Sequence, residues 1–161
     1  MLEERQFDPE LHDRAGFSCG VPTLDDYLHR FAVQHVRKSV TTVHVLVDDA
    51  APAVILGYYT LSAAEVDGAG LSPAERKRLP RYPVPCFRLG RLACRADRRG
   101  TGLGGLLLAG AVERCLRAKQ HVAAYALIVD AKDDEAAAFY RHYGFVCFGG
   151  DSLMLYLPLG R

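Results

Sequence analysis

The sequence predicts an α/β protein made of a single domain over residues 1–161. Three observations lead to this prediction. The chain has 161 residues, which is the length of one ordinary domain. Half of its residues are hydrophobic and 24% are charged, as in folded globular proteins. Helical and extended patterns alternate along it in the order α, β, β, α, β, α, β, α, β, and no segment repeats.

The first helix is predicted to begin near residue 23. Thr23 is a favourable N-cap, and Asp26 stands close to the acidic position of a capping box. Arg37 and Lys38 lie on the polar side of this helix. Four apolar residues recur near helical spacing and are expected to face the core: Leu24, Leu28, Phe31 and Val36.

Two strands and a short helix are predicted next. β-branched residues at 41–47 predict a strand, and the turn cluster at 48–52 separates it from a second strand at 53–63. The two strands are therefore expected to form a hairpin. A short helix is expected at 72–79, because Pro73 suits the first helical position.

The rest of the chain alternates strands with helices. Residues 84–94 predict a strand, and residues 122–129 form a continuous apolar run that is typical of a strand covered on both faces. Between them a helix is predicted at 102–119, with its apolar face at Leu103, Leu106, Leu107, Ala111 and Cys115. The remaining predictions are a helix at 133–143 ended by Gly144, and one or two strands at 145–157.

The formal net charge of +1 conceals an uneven distribution. Residues 1–75 carry five basic and twelve acidic side chains, whereas residues 76–99 carry nine basic side chains and one acidic one. We call residues 76–99 the basic segment. Such a concentration of positive charge suits a polyanionic ligand, although a solvated charged face is the simpler interpretation.

Other features restrict the cellular setting and the chemistry. The acidic N-terminus does not resemble a signal peptide, and no apolar run approaches the roughly 18 residues of a membrane helix, so a cytoplasmic protein without a membrane partner is expected. The five cysteines contain no CxxC pair and are interpreted as reduced core thiols. The six histidines show no metal-ligand spacing with them, so no metal is expected.

A glycine-rich turn is the strongest local indication of chemistry. Residues 99–105, Arg-Gly-Thr-Gly-Leu-Gly-Gly, lie between a predicted strand and a predicted helix. Glycines allow a ligand to approach the backbone closely, and the free N–H groups at a helix start can bind phosphate. The alternative is a tight turn with a purely structural role.

Two other phosphate-binding motifs are weaker matches to this turn. Gly100, Gly102 and Gly105 satisfy the GxGxxG pattern of dinucleotide folds, with Asp130 downstream. In those folds the turn directly follows its strand, whereas residues 95–99 intervene here. A P-loop is excluded because no Gly-Lys-Ser/Thr ends the run.

Together with other segments, this turn resembles the GCN5-related N-acetyltransferase (GNAT) family. Arg99-x-x-Gly102-x-Gly104 matches the family's R/Q-x-x-G-x-G/A signature. The resemblance covers nearly the whole chain and is strongest with the family's toxin subgroup. It includes the segments FSCG at 17–20, LDDYL at 24–28, GYYTLSA at 57–63, LPRYP at 79–83, DAKD at 130–133 and FYRHYGF at 139–145.

The resemblance implies an acetyltransferase fold and an acetyl-CoA site. The expected fold is a central mixed sheet with a splayed strand pair, flanked by helices. Acetyl-CoA is expected along Leu92, Ala93 and Cys94, with its pyrophosphate around Arg99, Gly100, Thr101, Gly102, Leu103, Gly104 and Gly105. Arg95 and Arg98 are expected to assist at the pyrophosphate. Backbone N–H groups near the thioester would stabilise the oxyanion that forms when an amine attacks.

Tyr140 is the catalytic residue that the resemblance implies. Its expected role is to act as general acid toward the departing CoA sulfur. A phenol with a pKa near 10 is a weaker acid than a thiol with a pKa near 8.5, so full proton transfer to the sulfur is unfavourable. A hydrogen bond from the hydroxyl to the sulfur is therefore the expected interaction. The alternative is an aromatic residue packed between Phe139 and Tyr143.

The toxin subgroup implies an aminoacyl-tRNA acceptor. An α-amine has a pKa near 7.7–8.0 and is partly neutral at pH 7, so no general base is required. Expected tRNA contacts are Arg76, Lys77, Arg78, Arg81, Arg88 and Arg91, extended by Arg37 and Lys38. Other interpretations of these charges are a solvated face, an antitoxin-facing surface and a part of the CoA site.

The same resemblance implies a ribbon-helix-helix antitoxin as partner and a homodimer. Two other functions stay open at this stage. One is a GNAT enzyme that acetylates a protein lysine or a small-molecule amine. The other is a module that binds CoA or nucleic acid without catalysis.

Overall fold

The computed structural model describes residues 1–160, with the backbone alone at Asp151 and Ser152. Seven strands form a mixed sheet in the order β1-β2-β3-β4-β5-β7-β6. The strands are β1 (Leu2–Gln6), β2 (Thr42–Asp48), β3 (Gly57–Val66), β4 (Val84–Cys94), β5 (Ala126–Asp130), β6 (Val146–Phe148) and β7 (Asp151–Pro158). The helices are α1 (Pro22–Asp26), α2 (Ala32–Arg37), α3 (Pro73–Arg78), α4 (Leu103–Ala118) and α5 (Asp134–His142).

The chain forms two compact units. The first unit contains Met1–Ser62 and Gly90–Ala111, and the second contains Ala63–Leu89 and the chain from Val112 onward. Strands β3 and β4 and helix α4 each contribute residues to both units.

The first unit is built on an antiparallel arrangement of β1, β2 and β3. The predicted hairpin is confirmed, because β2 pairs with β3 from Thr42↔Leu61 to Leu46↔Gly57. Strand β1 was not predicted, and it pairs with β2 from Leu2↔Asp48 to Gln6↔His44. Strand β1 lies at the edge of the sheet, and every one of its side chains is at least partly exposed. Its sequence, LEERQ, therefore lacks the alternation of apolar residues that marks a half-buried strand.

The start of the first helix differs from the prediction. Pro22 is the first residue of α1 and Val21 is the N-cap, without a side-chain hydrogen bond, so the assignment of Thr23 as N-cap was wrong. Proline suits this position because its missing N–H would have no partner there. Asp25 accepts hydrogen bonds from the N–H of Cys19 at 2.8 Å and from the hydroxyl of Ser18 at 3.2 Å, so its carboxylate secures the preceding loop.

A π-helical turn, Tyr27–Phe31, joins α1 to α2. A π-turn contains one more residue than an α-turn and rotates the following side chains relative to a regular helix. Leu28 is buried as predicted, but Phe31 is 42% exposed, contrary to prediction. Tyr27 and Ala32 enter the core of the first unit instead.

In the second unit, β5 is the central strand. It pairs in parallel with β4 from Cys86↔Ala126 to Leu89↔Val129, and antiparallel with β7. Residues 126–129 are fully buried, as the continuous apolar run predicted. Strand β4 continues five residues beyond its last registered pair with β5, to Cys94, which fits the splayed strand pair of the expected fold.

The remaining element predictions are largely confirmed. Strand β4 has the predicted bounds, and α3, α4 and α5 are each one residue shorter than predicted at each end. Strand β5 begins at Ala126 rather than at residue 122, because the N–H of Val122 still bonds to Ala118 in the turn that ends α4. On α4, Leu106 is 46% exposed, so its assignment to the buried face was wrong.

Candidate functional site

The expected donor strand lies in the first unit at the end of β4. Ala93 is buried, whereas Leu92 and Cys94 are partly exposed. Burial raises the pKa of the Cys94 thiol, which therefore stays protonated near neutral pH. After Cys94 the backbone is held by two hydrogen bonds, from Arg95 N–H to Leu56 and from Ala96 N–H to Ser18, both at 2.8 Å.

Two arginines that follow the donor strand bind backbone carbonyls of the first unit. Arg95 donates from Nε to Ile55 at 2.9 Å and from Nη1 to Gly16 at 3.1 Å. These contacts, together with the Phe17 ring 5.7 Å from its guanidinium carbon, hold Arg95 against the first unit, and its expected role at the pyrophosphate stays a prediction. Arg99 donates from Nη2 to Cys19 at 2.7 Å, and a guanidinium with five N–H donors keeps others for a ligand.

The glycine-rich turn has the geometry that a phosphate site needs. Gly100 and Gly102 have φ values of 76° and 84°, in the left-handed region that favours glycine. Apart from each glycine and its two neighbours in sequence, no heavy atom lies within 4 Å of the position of a Cβ at either residue, so the space above the turn is open. Helix α4 begins directly afterward at Leu103, and the first N–H groups of a helix have no partner within it. Residues 99–102 are all exposed, so an anion can reach this backbone.

Tyr140 lies in the second unit, on α5, and is 8% exposed. Its ring packs edge-on against Phe139 with centroids 5.3 Å apart, and against Phe145 at 5.4 Å. Asp133 caps the helix by accepting from the N–H of Ala136 at 2.8 Å. Tyr140 is therefore a packed aromatic residue, and the catalytic role that the resemblance implies stays a prediction.

The expected tRNA-binding residues fall into two groups. Six are exposed: Arg76, Lys77, Arg78 and Arg81 in the second unit, and Arg37 and Lys38 in the first. Two are engaged within the protein. Arg88 forms an ion pair with Asp130, and the Arg91 guanidinium lies 3.5 Å from the centroid of the Tyr27 ring. The exposed residues of the second unit are consequently the part of the basic segment best placed to meet a polyanion.

A buried carboxylate behind this exposed group was missed by the sequence interpretation. Glu75 is 9% exposed and accepts hydrogen bonds from the hydroxyls of Ser72, Tyr125 and Tyr156. The Ser72 and Glu75 side chains also bond to each other's backbone N–H, which makes a capping box at the start of α3. The Ser-x-x-Glu spacing was a usable indication of this capping box.

Neither a metal site nor a membrane-spanning helix is present in the described part of the chain. Among the described side chains, residues 1–150 and 153–160, no group of three or more His, Cys, Asp or Glu could hold a metal ion. Over the same residues, no helix has both the length and the apolar character needed to cross a membrane.

Comparison with known proteins assigns this geometry to a family. Residues 41–147 match the family described as Acetyltransferase (GNAT) domain. The chain is 36% identical over 148 residues to a tRNA-acetylating toxin of Mycobacterium tuberculosis, with 92% of this chain and 87% of that protein covered.

Solved structures of toxins also match this chain over nearly its whole length. The toxin AtaT in complex with acetyl-methionyl-tRNA superposes with a TM-score of 0.91 at 28% identity, over 98% of this chain and 95% of that one. A tyrosine-to-phenylalanine variant of KacT gives 0.92 at 28% identity over the same shares. A tyrosine-to-phenylalanine variant of AtaT bound to the C-terminus of the antitoxin AtaR and to acetyl-CoA gives 0.83 at 25% identity, over 98% of this chain and 93% of that one.

Proposed function

The chain belongs to the GNAT acetyltransferase family, and on this premise we propose that it transfers the acetyl group of acetyl-CoA to the α-amine of an aminoacyl-tRNA. The observation that carries the proposal is the 36% identity with a tRNA-acetylating toxin over 92% of the chain. The proposal treats residues 1–161 as a single acetyltransferase domain. The family match from 41 to 147 supports this, because it crosses the boundaries of both compact units.

The donor site of the proposal is the end of β4 with the glycine-rich turn. Leu92, Ala93 and Cys94 would lie along the pantetheine arm and present backbone N–H groups to the thioester. The pyrophosphate would bind the backbone of residues 100–105 and the free N–H groups of Arg99. The open space over Gly100 and Gly102 fits such a group. Each hydrogen bond to a charged phosphate oxygen contributes about 1.5–3 kcal/mol.

The acyl transfer needs few functional groups from the protein. The neutral α-amine attacks the thioester carbonyl carbon, a C–N bond forms, the C–S bond breaks, and the amine loses one proton while the sulfur gains one. Backbone N–H groups of β4 stabilise the oxyanion. Tyr140 donates a hydrogen bond to the sulfur as negative charge develops there. The α-amine is partly neutral at pH 7, so desolvation and positioning replace a general base.

The acceptor side of the proposal is the exposed part of the basic segment. Arg76, Lys77, Arg78 and Arg81 would contact tRNA phosphates, with Arg37 and Lys38 extending the surface. Arg88 and Arg91 would contribute less directly, because the first is paired with Asp130 and the second covers Tyr27. Binding through phosphates loses affinity steeply as salt rises.

Acetylation of aminoacyl-tRNA would inhibit translation. An acetylated α-amine can no longer attack a peptidyl ester, so the charged tRNA is removed from use. The protein would act as a toxin in the cytoplasm, where charged tRNA is found. We further propose a cognate antitoxin of the ribbon-helix-helix type and a homodimer. The AtaT complex with AtaR supports an antitoxin partner.

Mass spectrometry of charged tRNA tests the proposal. Total aminoacyl-tRNA is incubated with the protein and isotopically labelled acetyl-CoA, and the aminoacyl ends are released and analysed. Label on the α-amine of one or more aminoacyl groups is the expected result. Parallel reactions with lysine peptides and polyamines serve as comparison. Label on those acceptors with none on tRNA would overturn the proposal, and so would acetyl-CoA binding without CoA release in any mixture.

A further inference from the structure

An open groove in the second unit contains two of the exposed basic residues proposed to contact tRNA phosphates, Arg76 and Arg81. Its volume is about 550 Å³, within the range of small-ligand sites. It lies between the end of β3, helix α3 and the loop before β4. The residues that carry its chemistry are Glu65, Asp67, Arg76, Arg81 and Tyr82.

The groove contains groups that suit a base and a phosphate together. Tyr82 is 66% exposed, which is unusual for an aromatic side chain and leaves its ring available for stacking. Arg76 and Arg81 line the same groove and are both exposed. An aromatic platform beside guanidinium groups is the arrangement by which proteins bind unpaired nucleotides, because every base has a π-face and every phosphate is an anion.

The groove also contains two carboxylates, which narrow the choice of ligand. Glu65 and Asp67 line it, and the Asp67 carboxylate uses its Oδ1 atom to accept from the N–H of Ala69 at 2.9 Å. Carboxylates repel phosphate and accept hydrogen bonds from exocyclic amino groups of bases. Adenine and cytosine carry such amino groups, whereas uracil presents its one donor between two carbonyl oxygens. The groove therefore favours an amino-bearing base with its phosphate toward the arginines.

Contacts behind the groove hold its walls before a ligand arrives. Arg76 follows Glu75 on α3, and the Glu75 carboxylate is held by Ser72, Tyr125 and Tyr156. Asp67 caps the short turn at 68–70. Walls that are already ordered lose little entropy on binding, so a single nucleotide can bind measurably.

We propose that this groove binds an unpaired nucleotide with an amino-bearing base, from the single-stranded 3′ end of the tRNA acceptor. The proposal rests on the proposed function for the source of the nucleotide. Acetyl-CoA carries an adenine nucleotide as well, but its pyrophosphate is assigned to residues 99–105. The stacking platform is Tyr82, and the phosphate partners are Arg76 and Arg81.

Fluorescence polarisation with the full chain and a labelled RNA tetranucleotide, ACCA, tests the groove without any catalytic step. Tyr82→Ala is expected to weaken binding about tenfold, at the scale of one lost base stack. Tyr82→Phe, which keeps the ring, and Arg117→Ala, which removes an exposed charge outside the groove, are expected to bind within about twofold of wild type. The tetranucleotide UUUU is expected to bind more weakly than ACCA.

Three outcomes of the polarisation assay would overturn the proposal: no binding of ACCA by wild type up to about 1 mM, unchanged binding by Tyr82→Ala, or equal binding of ACCA and UUUU. Kinetics with aminoacyl-tRNA separate the two nucleotide sources. If Tyr82→Ala has a raised KM for aminoacyl-tRNA and an unchanged KM for acetyl-CoA, the result supports the groove as a tRNA site. A raised KM for acetyl-CoA with an unchanged KM for aminoacyl-tRNA would overturn the proposal. Absence of tRNA acetylation by wild type would count against the proposed function alone, since the polarisation assay still reports on the groove.

Discussion

The hydroxyl of Tyr156 donates a 2.6 Å hydrogen bond to Oε1 of Glu75. The Ser72 hydroxyl donates to the same oxygen at 2.9 Å, and the hydroxyl of Tyr125 donates to Oε2. Burial and the neighbouring carboxylate raise the pKa of Tyr156 to about 12, so it remains a donor at neutral pH. These contacts attach the basic helix α3 to β7 and to the chain just before β5 within the second unit.

Replacing Tyr156 by phenylalanine is expected to destabilise the protein by about 1.5–3 kcal/mol, the usual contribution of a hydrogen bond to a charged partner. Urea denaturation followed by circular dichroism measures this change. Tyr82→Phe is the matched control, because its hydroxyl is exposed and its removal should leave the unfolding free energy unchanged. Equal stability of Tyr156→Phe and wild type would show that Ser72 and Tyr125 satisfy Glu75 without Tyr156.

The Glu75 carboxylate also predicts a dependence of stability on pH. Burial alone would raise its pKa, but hydrogen bonds from Tyr125, Tyr156 and Ser72 outweigh it, so the folded-state pKa lies below the ordinary 4.5. The unfolded chain therefore takes up the proton first as pH falls. The stability advantage of wild type over Glu75→Gln should be full above pH 4.5 and should shrink as pH falls from there through the folded-state pKa. Urea titrations near pH 7 and near pH 4 test this. A constant difference between the two proteins would contradict it.

Sequence patterns predicted the elements of this fold where local signals are strong. Strand β4 has its predicted bounds, and the continuous apolar run predicted the buried part of β5. Elements that depend on tertiary context were missed. The charged edge strand β1 forms because β2 offers it a partner, and the π-turn at Tyr27–Phe31 changes which side chains of the first helix are buried. Neither is encoded in a local period of hydrophobicity.

The candidate site, like the fold, was predictable from the sequence only where a local motif marks it. The glycine signature predicted an open turn before α4, and the left-handed φ of Gly100 and Gly102 fits that prediction. The engagement of individual arginines was not predictable. Arg88 pairs with Asp130, which lies 42 residues away in sequence. Composition alone counts such a charge as available, and only the fold shows that it is already paired.

Gly102→Ala is expected to weaken donor binding without a steric clash. Nothing lies within 4 Å of a Cβ at this residue, so the cost comes from its φ of 84° and is about 1–2 kcal/mol for an alanine. If the turn relaxes to avoid this strain, the N–H groups proposed for the pyrophosphate move, and the KM for acetyl-CoA should rise about tenfold or more. Gly150→Ala is the control, because it has open space and no left-handed φ. Unchanged KM in Gly102→Ala would argue against a pyrophosphate at this turn.

Tyr140→Phe is expected to lower the rate of acetyl transfer about 10²-fold, the usual scale for loss of an acid-base group, while KM for acetyl-CoA changes little. The ring contacts with Phe139 and Phe145 remain, so the variant is expected to fold, and circular dichroism checks this. Tyr143→Phe is the matched control on the same aromatic cluster, since Tyr143 is 45% exposed and contacts Phe139 through its ring. Equal rates for Tyr140→Phe and wild type would remove Tyr140 from the mechanism.

Reversing the charges of Arg76, Lys77 and Arg78 is expected to weaken tRNA binding and to flatten its dependence on salt. These residues occupy the last turn of α3, where positive charge also interacts favourably with the helix dipole, so a purely structural role is the competing explanation. Each phosphate contact that is lost should reduce the slope of log K against log salt by about 0.7–0.9. Filter binding over a series of salt concentrations measures both quantities, with Arg117→Glu as the exposed control outside the basic segment. If the charge-reversed variant binds tRNA with the affinity and salt dependence of wild type, these residues do not contact tRNA. Lower stability of the same variant would then show that their charges stabilise the helix terminus.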